Sequence, residues 1–332
     1  MIDTHCHLTD PQLIDQLDGV LARAESAGVW RIVTVGTHPG DWEAALAITA
    51  TGANVRCAVG GHPNNCHEFQ FEELARLREF CGRPEVVALG EMGLDYHHKF
   101  SQRQKQAKYF EAQLEMAREL DMPVIIHCRE ATDDCLAILR AFDGVRAVFH
   151  CFTGTADEAK RVWDAGYLTG FTGVVTFRNG QVLRDIAAAA PKDRILVETD
   201  APYLTPEPMR KQKINEPAMV VHTAAVVAEV RGMSVAELDE CTTENALGFY
   251  RWGCWAGRWA NPRCCLRQAQ AGAHAPLYIF RGGRELGWLA LHADAGFHAG
   301  VGGGNVEGGG GGGGFVLAEL LHQHDPGLPL VS

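Results

Sequence analysis

Six side chains of the kinds that hold divalent cations fall at, or just past, the ends of short apolar runs in the first 200 residues. His5 and His7 end the first run, Glu91 follows the fourth, His127 ends the fifth, His150 ends the sixth and Asp200 follows the eighth. Taken singly, each has an ordinary explanation. An H-x-H pair is a common polar strand end, Glu91 can cap a helix, and Asp200 before Ala201-Pro202 can be a turn residue. Taken together they form a set of imidazoles and carboxylates suited to one or two divalent cations, and so to hydrolysis by an activated water. Strand side chains alternate in direction, so His5 and His7 share a face while Cys6 points away. The same alternation is expected to turn Cys128 and Cys151 away from His127 and His150, into the packing between sheet and helices.

The elements that must position these groups are legible in the hydrophobic pattern. Apolar runs predict strands at Met1–Thr4, Trp30–Val35, Val55–Gly60, Val86–Gly90, Pro123–His127, Arg146–His150, Tyr167–Phe171 and Arg194–Glu198. Helix-period segments separate them, such as Gln104–Leu120, and two more follow at Ala218–Arg231 and Val235–Tyr250, the last preceded by a Ser234/Glu237 capping box. Buried strands alternating with helices predict a parallel sheet, and eight units in about 250 residues predict an α/β fold closed as a (β/α)8 barrel. An open doubly wound sheet is the competing fold, but no G-x-G-x-x-G follows the first strand. In a closed barrel all six candidate ligands reach one face, at the C-terminal ends of the strands.

The 332 residues are 46% hydrophobic and 21% charged, enough for one barrel-sized domain with an added segment. Net charge is -11, and the first 250 residues carry 24 basic against 36 acidic side chains. An acidic barrel argues against extensive coating of duplex DNA, whereas a strand gripped at one cation site is compatible with it, because bound cations supply local positive charge. Eleven cysteines without C-x-x-C spacing read as reduced, packed thiols. No signal peptide and no bilayer-length apolar run is apparent, so cytoplasm is the expected location and no membrane partner is expected. The composition changes after Tyr250: residues 251–332 lack lysine, hold 19 of the 37 glycines and include the run Gly308–Gly314. The expected division is a hydrolase barrel over 1–250 and a glycine-rich, low-order tail over 251–332, either a flexible appendage or the product of a shifted reading frame.

The blocks MIDTHCHL, GGHP (60–63), GEMGLDY (90–96), PVIIHCREA (123–131), HCFTG (150–154), ETDAPYLTP (198–206) and NEPAMV (215–220) resemble, in order and spacing, the signature blocks of the TatD family of metal-dependent deoxyribonucleases. The resemblance covers residues 1–250. It implies a two-metal centre in which His5, His7 and Asp200 hold one ion, Glu91 bridges, and His127 with His150 holds the other. Magnesium, manganese or zinc would fill it. The implied activity is 3'-5' exonuclease cleavage of DNA, preferably single-stranded, at its 3' ends.

Other residues near these blocks have two readings each. Asp200 is the candidate to position or deprotonate the attacking water, with Glu91 as its catalytic partner at the metals. His62 either donates to a phosphate or leaving-group oxygen or is a structural histidine before Pro63. Arg129 either clamps phosphate or pairs with Glu130 on the surface. Lys211, in the basic run 210–213, either steers phosphate or is simply solvated, and Tyr203 either stacks on a base or packs its loop. Two competing functions remain: a deacylase for D-aminoacyl-tRNA or another ester or amide hydrolase on the same barrel, and a non-catalytic scaffold whose tail binds partners.

Overall fold

The computed structural model describes residues 1–51 and 54–252, and beyond them the backbone of four strands within 277–306. Eight parallel strands lie in sequential order: β1 (Ile2–Cys6), β2 (Arg31–Gly36), β3 (Val55–Val59), β4 (Val86–Asp95), β5 (Val124–Arg129), β6 (Ala147–Phe149), β7 (Leu168–Phe171) and β8 (Ile195–Val197). Each is followed by helix, including α1 (Pro11–Ile14), α2 (Leu17–Ser26), α3 (Trp42–Ile48), α4 (Glu73–Cys81), α5 (Arg103–Glu119), α6 (Thr132–Leu139), α7 (Ala156–Asp164) and α8 (Gln181–Ala189). Two more, α9 (Val220–Val230) and α10 (Val235–Phe249), follow β8. Strand order equal to chain order, with a helix in every crossover, is the (β/α)8 arrangement.

The ring closes between β1 and the chain leaving β8. Asp200 donates its amide to His5 O at 2.9 Å, and His7 donates to Ala201 O at 2.7 Å. The closing ladder therefore runs through the histidines and the aspartate themselves, which fixes their relative height. One continuous apolar core fills the barrel and the layer between strands and helices, with Phe110, Phe149 and Phe171 among its largest fully buried side chains. The far end is locked by Tyr250, whose hydroxyl donates to Thr4 O at 3.0 Å. The Ser234/Glu237 capping box forms at the start of α10 as its sequence predicts.

All eight expected strands are present, with ends differing by one or two residues except at β4. That strand was expected to stop at Gly90 and runs on to Asp95, so Glu91 sits inside it rather than after it. The reason is two glycines, Gly90 (φ +144°) and Gly93 (φ +139°), where a Cβ would stand 2.6 Å from Ile125 O and 2.1 Å from His127 O. Glycines here read as a strand end in the sequence. In the fold they let β4 continue, kinked, hard against β5.

Residues Met1–Arg251 form one compact unit and 252–332 a second. In the second, β9 (Leu277–Phe280), β10 (Leu286–Ala290), β11 (His298–Val301) and β12 (Gly304–Val306) pair antiparallel in the order β12-β11-β10-β9. Hydrophobic periodicity did not point to these strands. The Gly308–Gly314 run lies outside the described residues.

Candidate metal centre

The six expected ligands converge at the C-terminal mouth of the barrel. Glu91 is at their middle, 2% exposed, and its two oxygens face different histidines. Oε2 lies 3.5 Å from His5 Nε2 and 4.0 Å from His7 Nε2. Oε1 lies 2.7 Å from His127 Nδ1, 3.2 Å from His150 Nε2 and 3.4 Å from His62 Nε2. Asp200 joins the first side, with Oδ1 3.3 Å from His7 Nε2 and 3.9 Å from His5 Nε2.

The donor atoms fit a cation. His5 Nε2 and His7 Nε2 are 3.3 Å apart, a spacing that suits two ligands of one ion. Ligand atoms about 2.0–2.2 Å from one metal stand roughly 3.0–3.5 Å from each other. The spacing of His5, His7 and Asp200 is close to that.

Hydrogen bonds on the outer ring nitrogens decide what each imidazole presents to the centre. His7 Nδ1 lies 3.1 Å from Val35 O, an atom that only accepts, so the proton is on Nδ1 and the Nε2 lone pair points inward. His150 Nδ1 donates to Glu198 Oε1 at 3.2 Å, again leaving Nε2 free. His127 is turned over: Nε2 donates to Asp95 Oδ2 at 3.0 Å, and Nδ1 faces Glu91. His62 is the opposite case. Its Nδ1 accepts the Asn64 amide at 3.1 Å, so the neutral ring carries its proton on Nε2, toward the centre. His62 Nε2, 3.4 Å from Glu91 Oε1 and 3.1 Å from His127 Nδ1, is near enough to share an ion with them. Its tautomer makes it a hydrogen-bond donor instead. His5 Nδ1 is buried without a partner among the described residues.

The electrostatics separate the same groups. Burial opposes ionisation of Glu91, but the imidazoles of His150 and His62 outweigh it and hold the carboxyl well below its usual range. Asp200 is half-buried, and His7 and His150 lower it. Burial works against an imidazolium at His127, yet hydrogen bonds to Asp95 and Glu91 push its pKa up to about 9. Glu91 and Glu198 raise His150 in the same way. Burial and neighbouring imidazoles lower His5 and His62, keeping both neutral.

These groups form the floor of an open cleft of about 1100 Å³. Arg129 and Tyr203 line it, both exposed. Glu130 pairs with His97 at 2.8 Å rather than with Arg129, and no carboxylate among the described residues lies within ion-pair distance of Arg129. Lys211 is exposed on the turn Met209–Lys211 and does not reach the cleft wall. From its basic run the structure instead packs Arg210 over the ring of Phe177, a wall residue, at 3.9 Å.

Two expectations about cysteine need correction. Cys6 is buried as expected, with its thiol against Val33 O. Cys128 and Cys151 are only half-buried and contribute to the cleft wall. Alternation is a property of regular strand; β6 ends at Phe149, and Cys151 has a φ of +44°, so strand parity no longer governs it.

Two positioning residues escaped notice in the sequence. Glu198, 1% exposed, accepts from His150 Nδ1, from Thr4 Oγ1 at 3.2 Å and from the Cys151 amide at 2.6 Å. A Cβ at Gly170 would stand 2.5 Å from its carboxylate, so glycine makes room for it. Asp95 holds His127 from behind and accepts the amides of His97 and His98 at 3.0 and 2.8 Å. The signal was available as the same every-second-residue spacing used for His5 and His7: Glu198-x-Asp200 at one strand end, and Glu91-x-Gly93-x-Asp95 in β4.

Comparison with known proteins agrees over this unit. Residues 2–251 match the family model for TatD-related DNases. The metal-dependent hydrolase YabD of Bacillus subtilis strain 168 is 37% identical over 253 residues, 76% of this chain and 99% of that protein. The 3'-5' ssDNA/RNA exonuclease TatD of Erwinia amylovora is 38% identical over 257 residues, 75% of this chain and 99% of its own length. Among solved structures, the TatD homologue YJJV of Escherichia coli K12 superposes with a TM-score of 0.72 at 29% identity, covering 76% of this chain and 98% of that one.

Proposed function

Because the chain belongs to the TatD-related DNase family, we propose that it is a metal-dependent hydrolase that cleaves phosphodiester bonds of single-stranded DNA from the 3' end. The observation that carries this reading is Glu91, whose two oxygens face two separate groups of histidine nitrogens at 2.7–4.0 Å. A carboxylate so placed could serve two divalent ions: His5, His7 and Asp200 would hold one, and His127 through Nδ1 with His150 through Nε2 would hold the other. The imidazole-rich set favours zinc or iron over magnesium.

The charge of the cleft supports the same conclusion. Its wall includes Asp10, Asp41, Glu91, Asp95 and Asp200, against Arg129 as its one arginine or lysine among the described residues. A phosphodiester enters such a field only when cations balance it. Two divalent ions bound there would polarise the phosphate and acidify a water. Asp200, kept ionised by His7 and His150, takes the proton of the attacking water. His62 Nε2–H donates to a phosphate or leaving oxygen. Arg129 clamps a non-bridging pair of phosphate oxygens, and Tyr203 stacks on a base beside the site. The reaction belongs to residues 1–251, and the eight thiols of that unit, all unpaired, suit a reducing cytoplasm.

The test is hydrolysis of 3'- and 5'-labelled single-stranded and duplex oligonucleotides with magnesium, manganese or zinc, with a charged D-aminoacyl-tRNA as the competing substrate. Metal-dependent shortening from the 3' end of single strands, lost in Glu91→Gln, is expected. Cleavage that persists under chelation, or deacylation without any cutting of DNA, overturns the assignment.

A further inference from the structure

We propose that Phe100, backed by His98, is a nucleobase-stacking platform on the wall of the cleft facing Tyr203, so that a single strand is held by a base on each side of the scissile phosphate. The proposal rests on the nuclease reading above and adds the group that would select unpaired bases. Of the large hydrophobic side chains left exposed among the described residues, two line the cleft, Phe100 at 63% and Tyr203 at 54% exposure, and both are aromatic. Phe100 follows β4 and Tyr203 follows β8. With strands in sequential order around a closed ring of eight, those positions are half a turn apart, on opposite sides of the mouth.

The Phe100 ring is held ready. It stacks on the His98 imidazole with centroids 5.4 Å apart and planes at 14°. His98 is in turn fixed by Asp95, which lies 2.9 Å from its Nδ1 and accepts its backbone amide at 2.8 Å. On the other side of Phe100, the Ser101 hydroxyl donates to Asn64 O at 3.0 Å, and Gln106 Nε2 donates to Ser101 O at 3.1 Å. Both ends of the loop are pinned while its aromatic tip faces the cleft. Folding gains little from a ring so exposed, whereas a base laid on it recovers apolar contact with little further ordering. Asp95 also holds His127, so platform and catalytic centre share one anchor. An unpaired base is free to turn its face onto such a ring, whereas paired bases are held in their helix with only the outermost pair exposed, so the platform favours single strands.

The experiment compares wild type, Phe100→Ala and Phe100→Trp in the metal-loaded full chain. Phe100→Ala is expected to raise KM for single-stranded DNA about tenfold with kcat nearly unchanged, and Phe100→Trp to restore it. An oligonucleotide with one abasic position walked through its four 3'-terminal nucleotides should, at one position, give wild type the KM of Phe100→Ala, with no further loss in the variant. 2-Aminopurine at that position should be quenched on binding to wild type and to Phe100→Trp but not to Phe100→Ala. Wild type that cuts DNA with Phe100→Ala indistinguishable from it, or an equal loss on base-containing and abasic strands, overturns the platform alone. Wild type that neither binds nor cuts single strands overturns the platform together with the nuclease reading.

Discussion

His62 Nε2 lies 3.1 Å from His127 Nδ1, yet the two rings carry their protons on opposite sides. His127 gives its outer proton to Asp95, so that loss of its other proton bares a lone pair on Nδ1, facing inward; His62 accepts Asn64 N–H on the outside and turns its proton inward. Distance makes them equivalent, and hydrogen bonding suits one to be a ligand and the other a donor.

The variants His62→Asn and His127→Ala should therefore fail differently. His62→Asn keeps metal content near wild type and loses roughly 10²–10⁴-fold in kcat, the range of a lost general acid. His127→Ala loses bound metal. Metal analysis of the purified proteins beside their rates separates the two, and loss of metal in His62→Asn would make His62 a ligand after all.

Glu198 holds the proposed ligand His150 and does not line the cleft. Its carboxylate holds the His150 proton on Nδ1, and a neutral amide holds it less firmly. Glu198→Gln should weaken metal binding about 10–100-fold, read by competition with a chelator, while the melting temperature of the metal-free protein moves little. Unaltered affinity would leave Glu198 a purely structural acid.

Most of this architecture is written in short-range patterns. The eight strands are visible because each is an apolar run buried on both faces, and the ligands are visible because they end those runs. What the sequence conceals is backbone that departs from period two. Gly90 and Gly93 hide the last half of β4 and with it Asp95, and the left-handed turn at Cys151 takes it out of strand alternation. The proton position of His127 depends on Asp95, 32 residues away, which no local pattern encodes.

Gly93→Ala tests that concealed stretch. The added methyl would meet His127 O at 2.1 Å on a backbone with φ of +139°, so β4 and β5 must separate. Strain and overpacking together should destabilise the fold by roughly 3 kcal/mol or more, with activity lost beyond what the stability change explains, because Glu91 and His127 sit on the two strands that part. Urea unfolding and a rate measured well below the melting temperature distinguish the effects.

A chain ending at Arg251 should hydrolyse DNA at the wild-type rate, since the unit Met1–Arg251 holds every group of the proposed centre. The cut belongs after Arg251 rather than Tyr250. The Arg251 amide donates to Val87 O, and its side chain to Asp121 O, tying the chain end to the barrel. Ending at Gly248 removes buried Phe249 and Tyr250 and should destabilise the barrel by about 3–5 kcal/mol or more. A lower specific activity of the Arg251-ended chain at equal metal content would assign a catalytic part to the remainder.

Metal affinity should depend on pH through the same imidazoles. In the metal-free protein His127, with a pKa raised to about 9, carries two protons at neutral pH, and His150 is raised as well. A cation binds His127 only through an unprotonated Nδ1, so loading must expel a proton. The sign follows: lowering pH below about 9 favours the protonated, metal-free form and weakens binding, while raising pH strengthens it until His127 has lost its proton unaided. Each displaced proton makes the apparent Kd fall about tenfold per pH unit in that window. Calorimetric titration of the metal into apoprotein at pH 7, in two buffers of different ionisation enthalpy, counts the protons released. One or more is expected, fewer in Asp95→Asn, whose weaker hold on Nε2 lowers the His127 pKa. Binding that neither releases protons nor varies between pH 6 and 8 would remove His127 from the metal's coordination.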